Sequence, residues 1–160
     1  MQILVVSDSH EDIDTLRMLL EEYEKTAQLV IHLGDHDQDL LNLARVVDMP
    51  MLAVAGNTDD DIHSPTERIC TFLGKKIFMT HGHLFNVNAN YDSLMRKLLE
   101  EDADICLFGH THSAATFTQH GKFFMNPGSI SDPRDEKPPS YGVITLNEES
   151  GEVKGEIIYL

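Results

Sequence analysis

Two histidines flank a single threonine at Gly109-His110-Thr111-His112, directly after the apolar run from Ile105 to Phe108. The same arrangement, an apolar run followed by side chains that can bind metal, occurs four more times. The other four motifs are Asp8-Ser9-His10, Gly34-Asp35, Gly56-Asn57-Thr58-Asp59 and His81-Gly82-His83. Carboxylates suit hard divalent ions, whereas imidazole suits zinc and other transition metals. Because these ligands outnumber the coordination sphere of one ion, the pattern predicts a hydrolase with two metal ions.

The apolar runs in the first third of the chain predict the strands that hold these ligands. The predicted strands cover residues 2–7, 28–33 and 51–55, and the predicted helices between them run from Ile13 to Tyr23 and from Leu40 to Val47. This order predicts parallel strands joined by right-handed crossovers. Ligands gather at the carboxyl ends of such strands. Asp35, at the tip of the second strand, is therefore placed to bridge two ions.

The rest of the chain has a different pattern of shorter segments. We expect a hairpin of 68–73 and 75–80 that turns at Gly74-Lys75, a helix capped by Asn88 or Asn90, a strand at 104–108, and short strands near 113–119, 122–126, 141–146 and 153–159. A parallel half and an antiparallel half are both accommodated by two sheets packed face to face with helices outside. With 160 residues, the chain is predicted to form a single domain over 1–160.

Composition narrows the classes of partner. The 41% of hydrophobic residues argues against disorder, and the formal net charge of -15 opposes binding to a phosphate backbone. A nucleic-acid partner is therefore not expected. The first residues lack the basic segment of a signal peptide, and no apolar stretch approaches the ~20 residues that span a bilayer. With two cysteines inside apolar runs, the chain is predicted to be cytoplasmic.

Taken together and in this order, the five motifs resemble those of the calcineurin-like metallophosphoesterases. The short length and Asn126-Pro127-Gly128-Ser129 are similar to the small single-domain phosphodiesterases of bacteria and archaea within that family. The resemblance implies an α/β fold, a four-layer αββα sandwich of two mixed β-sheets flanked by helices. It also implies a dinuclear metal centre that activates a water molecule as a hydroxide nucleophile, with manganese expected first and nickel, zinc or iron as alternatives.

The resemblance also assigns ligands to the two ions by position. One ion would take Asp8, His10, Asp35 and His112, and the other would take Asp35, Asn57, His81 and His110. Asn57 and Asp59 of the third motif are the predicted catalytic residues. Arg134, just beyond the Asn126–Ser129 segment, is predicted to contact a phosphate oxygen of the substrate, with a plain surface role as the alternative.

One position departs from the family pattern. Many members carry a histidine between the Asn and the Asp of the third motif, where it is thought to help protonate the leaving group, but this chain has Thr58. A threonine hydroxyl cannot act as a general acid at neutral pH. The departure favours small diester substrates with good leaving groups. The predicted function is therefore a metal-dependent phosphodiesterase, with a nuclease and a protein-interaction scaffold of the same fold as alternatives and a homo-oligomer left open.

Several residues have a simpler interpretation than metal chemistry. His32 lies inside a strand and is predicted to be a core or interface residue, while His36, His63 and His120 are predicted to be ordinary surface histidines. His83 is predicted to lie beside the ligands or at the surface. The Asn126–Ser129 segment is interpreted as a tight turn that closes the site, with a phosphate-contacting loop as the alternative.

Overall fold

The computed structural model describes residues 1–60 and 63–160. Its strands are β1 (Gln2–Val6), β2 (Leu29–His32), β3 (Met51–Ala53), β4 (Glu67–Phe72), β5 (Lys75–Thr80), β6 (Ile105–Leu107), β7 (Ala115–Gln119), β8 (Lys122–Asn126), β9 (Ser140–Leu146) and β10 (Val153–Tyr159). Its helices are α1 (Ile13–Tyr23), α2 (Asp37–Leu43) and α3 (Asp92–Glu100), with a 3₁₀ turn at His83–Phe85. None of the described helices is long and apolar enough to cross a membrane.

The strands form two five-stranded sheets that each mix parallel and antiparallel pairs. The first sheet has the order β10-β9-β1-β2-β3, in which β1, β2 and β3 are parallel. The second has the order β4-β5-β6-β8-β7, in which β5, β6 and β8 are parallel. In the first sheet the antiparallel strands β9 and β10 lie on the β1 side of the triplet, and in the second β4 and β7 lie on its two sides. Each sheet therefore carries three parallel strand ends that can hold ligands.

Successive side chains of a central strand point to opposite faces of its sheet, so that each sheet packs against a different layer on each face. In β1, Leu4 and Val6 pack with the apolar faces of α1 and α2, whereas Ile3 and Val5 join residues of the second sheet in the interior between the sheets. On its outer face the second sheet packs against α3 through Leu94 and other apolar residues. The order is helices, sheet, sheet, helix. The predicted four-layer sandwich of two mixed sheets is confirmed.

Three local predictions need correction. Helix α2 ends at Leu43 and not near Val47, because the N–H groups of Val46 and Val47 both bond to the carbonyl of Leu43 and close the helix in a turn. The N-cap of α3 is Tyr91, although the side chain of Asn90 accepts a hydrogen bond from the N–H of Asp92 at 3.0 Å.

The third correction concerns the hairpin between β4 and β5. Its turn residues are Leu73 and Gly74, with φ of 47° and 75°, and Lys75 already belongs to β5. Two consecutive residues with positive φ match the twist of the flanking strands. The turn therefore lies one residue earlier than the sequence predicted.

Candidate metal centre

The predicted ligands stand on unusual backbone at the ends of strands. Five of them have φ in the left-handed region, namely Asp8 (53°), His10 (43°), Asp35 (56°), His110 (70°) and His112 (55°). This region is uncommon for residues other than glycine and costs on the order of 1–3 kcal/mol per residue. Surrounding contacts must hold each residue there. The concentration of such backbone at one end of the sandwich marks a functional site.

Two motif glycines make room for the carboxylates. A Cβ at Gly56 would collide with the carboxylate of Asp35, and a Cβ at Gly109 would collide with the hydroxyl of Ser7 and crowd Asp8. Ser7 in turn donates a hydrogen bond to Asp8 Oδ2 at 2.6 Å. Glycine is therefore required in both motifs because side chains from other loops occupy the space.

A first group of ligands is already assembled. Suitable side-chain atoms of Asp8, His10, Asp35 and His112 all lie within 4.8 Å of one another. His112 Nε2 lies 3.1 Å from Asp8 Oδ1 and 3.3 Å from His10 Nε2, and His10 Nε2 lies 3.9 Å from Asp35 Oδ2. Asp8, Asp35 and His112 are buried, and His10 is half-buried. The four residues predicted to share one ion are thus brought together.

A second group lies beside the first and shares Asp35. His81 Nε2 is 3.4 Å from Asp35 Oδ1 and 3.3 Å from His110 Nδ1. The fourth predicted member, Asn57, follows Gly56 in the loop after β3, and its side chain is exposed. The N–H of Thr58 in the same loop donates to Asp35 Oδ1 at 3.1 Å. Three of the four ligands predicted for the other ion are therefore in contact, and the loop that carries Asn57 is hydrogen-bonded to the shared carboxylate.

Hydrogen bonds to backbone carbonyls orient two of the histidines. His81 Nδ1 lies 2.8 Å from the carbonyl of Leu33, and His112 Nδ1 lies 2.5 Å from the carbonyl of Asp132. A carbonyl only accepts, so Nδ1 carries a proton in both rings and, in the neutral ring, Nε2 carries a lone pair. Metal-binding histidines are held in this manner.

These lone pairs face carboxylate oxygens, which leaves negative charge uncompensated. With both rings neutral, Asp8 Oδ1 is buried and accepts no hydrogen bond from the described residues, although His112 Nε2 is 3.1 Å away and His81 Nε2 is 3.9 Å away. Either a proton or a cation must lie between such groups. A divalent cation fits this donor set, because carboxylate and imidazole ligands converge on one small volume.

In the absence of a cation, a proton takes part of that role. Burial favours the neutral form of both groups, but the hydrogen bond and charge between them outweigh it: the pKa of Asp8 is lowered, and that of His112 is raised. Metal binding requires a neutral imidazole. Metal binding at Asp8 and His112 would therefore compete with protonation of His112.

The carboxylate of Asp59 is occupied by backbone N–H groups. Its Oδ1 accepts from His36 at 2.6 Å and from Asp37 at 3.2 Å, and its Oδ2 accepts from Gly56 at 2.8 Å. These bonds join the loop that carries Asn57 to the first turn of α2. A catalytic role for Asp59 stays a prediction, and its visible contacts are those of a residue that positions two ligand loops.

The segment Asn126-Pro127-Gly128-Ser129 behaves as the tight turn that the sequence favoured. Asn126 Nδ2 donates to the carbonyl of Gly109 at 3.0 Å, and Asn126 Oδ1 accepts from the N–H of Gly128 at 2.9 Å. The hydroxyl of Ser129 donates to the carbonyl of Asp8 at 2.7 Å. The turn therefore supports the backbone of two ligand motifs, and its own polar side chains are buried and satisfied.

Other predicted residues surround the ligands. Arg134 is exposed, and its backbone N–H donates to the carbonyl of His112 at 3.2 Å. The ring of His83 lies 5.4 Å from that of His81 and is half-buried, so it borders the ligands as predicted.

The prediction for His36 needs correction. This residue is half-buried, with its ring 5.3 Å from that of His10, and is not an ordinary surface residue. Its position directly after Asp35 was the available signal.

Comparison with known proteins agrees with this geometry. Residues 1–149 match the family model of the calcineurin-like phosphoesterase superfamily domain. The chain is 32% identical over 154 residues to the probable metallophosphoesterase YsnB of Bacillus subtilis (strain 168), which covers 96% of this chain and 89% of YsnB. It is 26% identical over 182 residues to the phosphodiesterase YfcE of Escherichia coli (strain K12), with 94% and 95% covered.

A solved structure extends the likeness to three dimensions. A conserved protein from Streptococcus pneumoniae TIGR4, described as a predicted phosphoesterase, superposes with a TM-score of 0.84 at 30% identity, over 99% of this chain and 88% of that chain. The resemblance drawn from the five motifs is confirmed, and the chain belongs to the calcineurin-like phosphoesterase superfamily.

Proposed function

We propose that this protein is a metal-dependent phosphodiesterase that hydrolyses small phosphorylated substrates at a centre of two divalent ions. The observation that carries the proposal is the pair of buried histidines, His81 and His112, whose Nε2 atoms face Asp8 and Asp35. Their Nδ1 atoms are engaged by backbone carbonyls. Phosphodiesterase activity is the function named for YfcE, whose length this chain nearly spans.

Each ion would be held by residues from several strand ends. Asp8, His10, Asp35 and His112 would hold one ion, and Asp35, Asn57, His81 and His110 would hold the other, with manganese expected first. The chemistry that two such ions supply is activation of water as a nucleophile and stabilisation of charge on the phosphate oxygens. Asp59 would keep the Asn57 loop in register with Asp35 through its three backbone hydrogen bonds.

Substrate preference would follow from the rim of the centre. Thr58 is exposed and offers no proton donor for a poor leaving group. A diester carries one negative charge and a monoester carries two, so a site with few positive groups handles the diester more easily. Arg134 is near His112, and its positive charge opposes the net rise in the pKa of that histidine. We assign Arg134 as a contact for a non-bridging phosphate oxygen.

The two alternative functions have less support. A nuclease needs basic surface to hold the phosphate backbone, whereas this chain has a formal net charge of -15. A scaffold of the same fold has no need of competent ligands, yet every expected ligand position here holds one. The cytoplasmic location and a homo-oligomeric state stay predictions.

The first test is hydrolysis of bis(p-nitrophenyl) phosphate by metal-depleted protein before and after addition of Mn²⁺. We expect activity only with metal, and two ions per chain by elemental analysis. The same protein should cleave p-nitrophenyl phosphate, the matched monoester, with a lower kcat/KM. Metal binding without hydrolysis of either ester would favour the scaffold, and a tenfold preference for the monoester, about 1.4 kcal/mol, would contradict the diesterase assignment.

A substitution at Thr58 tests the leaving-group argument. Thr58→His introduces the proton donor that many relatives carry, and it should raise the monoester kcat/KM relative to the diester value by a few-fold. Thr58→Gln is the control, since it adds a side chain of similar length that cannot donate a proton as an acid. An equal change in the two variants would contradict the role assigned to this position.

A further inference from the structure

A buried chain of hydrogen bonds runs behind the ligand loops. The N–H of Gly34 lies 3.1 Å from His32 Nδ1, and His32 Nε2 lies 3.0 Å from the hydroxyl of Ser9. The Ser9 hydroxyl donates to Asp39 Oδ2 at 2.7 Å, and the N–H of Glu11 donates to the same oxygen at 3.0 Å. Ser9 and His32 are 0% exposed and Asp39 is 5% exposed.

The direction of each hydrogen bond can be assigned. A backbone N–H only donates, so His32 Nδ1 accepts from Gly34, and the neutral ring then carries its proton on Nε2. Nε2 therefore donates to Ser9, which donates to Asp39, an acceptor when ionised. Burial lowers the pKa of His32 to about 4, against the opposing charges of Asp8, Asp59 and Asp39, so the ring is neutral near pH 7. Every bond in the chain points the same way and ends on a carboxylate.

The chain connects the ligand loops at their most constrained points. Ser9 lies between Asp8 and His10, and Gly34 directly precedes Asp35. Asp8, His10 and Asp35 all have left-handed backbone, which needs support from neighbouring groups. Asp39 belongs to α2, so the acceptor stands on a rigid element. Groups that orient metal ligands from behind tune metal affinity.

We propose that Ser9, His32 and Asp39 form a positioning network that sets the spacing between Asp8, His10 and Asp35 and thereby the affinity of the centre for divalent ions. The inference rests on the proposed function, because it concerns the same metal centre. None of the three residues belongs to the group of clustered metal-ligand side chains. Loss of one link weakens the attachment of the β1 loop to α2 or to β2 while leaving all ligands present, and the backbone bond from the N–H of Asp8 to the carbonyl of Gly34 remains.

Calorimetric titration of metal-depleted protein with Mn²⁺ tests the network. Ser9→Ala removes the central hydroxyl with little change in volume, and Asp39→Ala removes the acceptor. Each should weaken Mn²⁺ affinity by about 10–100-fold. Asp39→Asn keeps an oxygen that can accept both bonds and should lose less than Asp39→Ala. The control is Asp37→Ala, which removes an equally buried carboxylate from the first turn of α2, and it should stay within about threefold of wild type.

A double variant separates one network from two independent contacts. Ser9→Ala combined with Asp39→Ala should weaken Mn²⁺ binding no more than the stronger single change, because the residues act through one chain of bonds. Losses that multiply would overturn the proposal, as would single variants within threefold of wild type or an equal loss in Asp37→Ala. Circular dichroism and melting of the metal-free variants check that the folded protein is being titrated.

Two further outcomes keep the inference separate from the proposed function. A wild-type protein that bound no divalent ion would overturn the proposed function and this network with it. A wild type that binds two ions, together with a Ser9→Ala variant of unchanged affinity, would overturn the network alone. Nitrogen-15 spectra of the His32 ring provide a readout independent of metal. They should show a protonated Nε2 and a bare Nδ1, and the reverse would contradict the assigned direction of the bonds.

Discussion

The two halves of the metal centre differ in how firmly the fold holds them. In the half around Asp8 and His112, both residues are buried, and the network of Ser9, His32 and Asp39 lies behind the loop that joins Asp8 to His10. In the other half, His81 is buried but His110 is half-buried and Asn57 is exposed at the tip of a loop. The predicted ligands of one half lie close together with three of the four buried, whereas the other half includes an exposed residue of a loop. We therefore expect unequal affinities for the two ions.

Asp35 is the one predicted ligand that the two halves share, so its replacement should have the largest effect. Asp35→Asn keeps the shape of the side chain but removes the charge that bridges the ions. We expect loss of both ions and a fall in kcat/KM by about 10³-fold or more, since metal ions supply several kcal/mol of charge stabilisation. Elemental analysis and diester hydrolysis measure the two effects. Retention of one tightly bound ion would show that the halves are independent.

Single-ligand variants distinguish the halves directly. His112→Ala should remove the ion of the buried half, and Asn57→Ala should remove the ion of the exposed half. Each should lower kcat/KM by more than the ~10–100-fold expected for loss of an outer partner. Elemental analysis counts the ions that each variant binds, and titration measures the affinity of the ion that each variant retains. These values compare the two halves of the centre. Loss of the same ion in both variants would contradict the assignment of ligands.

The fold and the ligand motifs could be predicted from the sequence because their signals come from residues that are close together in the chain. Continuous apolar runs such as Ile3 to Val6 predict buried strands, and ligand residues directly follow them. The features that could not be predicted depend on contacts between residues that are far apart in the chain. The tautomer of His81 is set by the carbonyl of Leu33, 48 positions away, and Ser129 supports Asp8 across 121 positions.

The same limit explains the contacts that the sequence could not predict at two residues. Asp59 was predicted as catalytic from its motif, but its hydrogen bonds to His36 and Asp37 appear only when the loops after β2 and β3 meet. His32 was predicted correctly as buried, yet its link to Ser9 depends on the pairing of β1 with β2. Neither contact has a local sequence signal, so neither could be predicted from spacing.

Removal of metal should destabilise the fold mainly through the buried half. When His112 is neutral, the buried Asp8 Oδ1 has no hydrogen-bond donor among the described residues, and a bound cation would compensate its charge. A ligand that binds only the native state adds ~2.7 kcal/mol at a hundredfold excess over Kd. For a chain of this length, chelator should lower Tm by roughly 5–10 °C. Melting curves of metal-loaded and verified metal-free samples test this, and unchanged Tm would argue against charge compensation. In Asn57→Ala, chelator should still lower Tm.

The smallest expected effect is a pH dependence of the folding stability of the metal-free protein. It originates at His32, which lies behind the buried half of the metal centre. Burial lowers the pKa of His32 from 6.5 to about 4. Between these values the unfolded chain binds a proton that the folded protein does not, so stability falls as pH decreases from 6.5 towards 4. The loss amounts to ~2 kcal/mol at pH 5. It is fully regained above pH 6.5.

Titration of Asp8 and His112 does not contribute to the change in stability between about pH 4 and pH 6.5. The lowered pKa of Asp8 affects stability only below about 3.8, and the raised pKa of His112 affects it only above about 6.5. His83 and His110, whose pKa values are also lowered by burial, act in the same direction as His32. The test is therefore a difference: urea unfolding at pH 5 and pH 7 for wild type and His32→Gln. The variant should lose less stability on acidification, and equal losses would show that His32 is not held neutral behind the ligand loops.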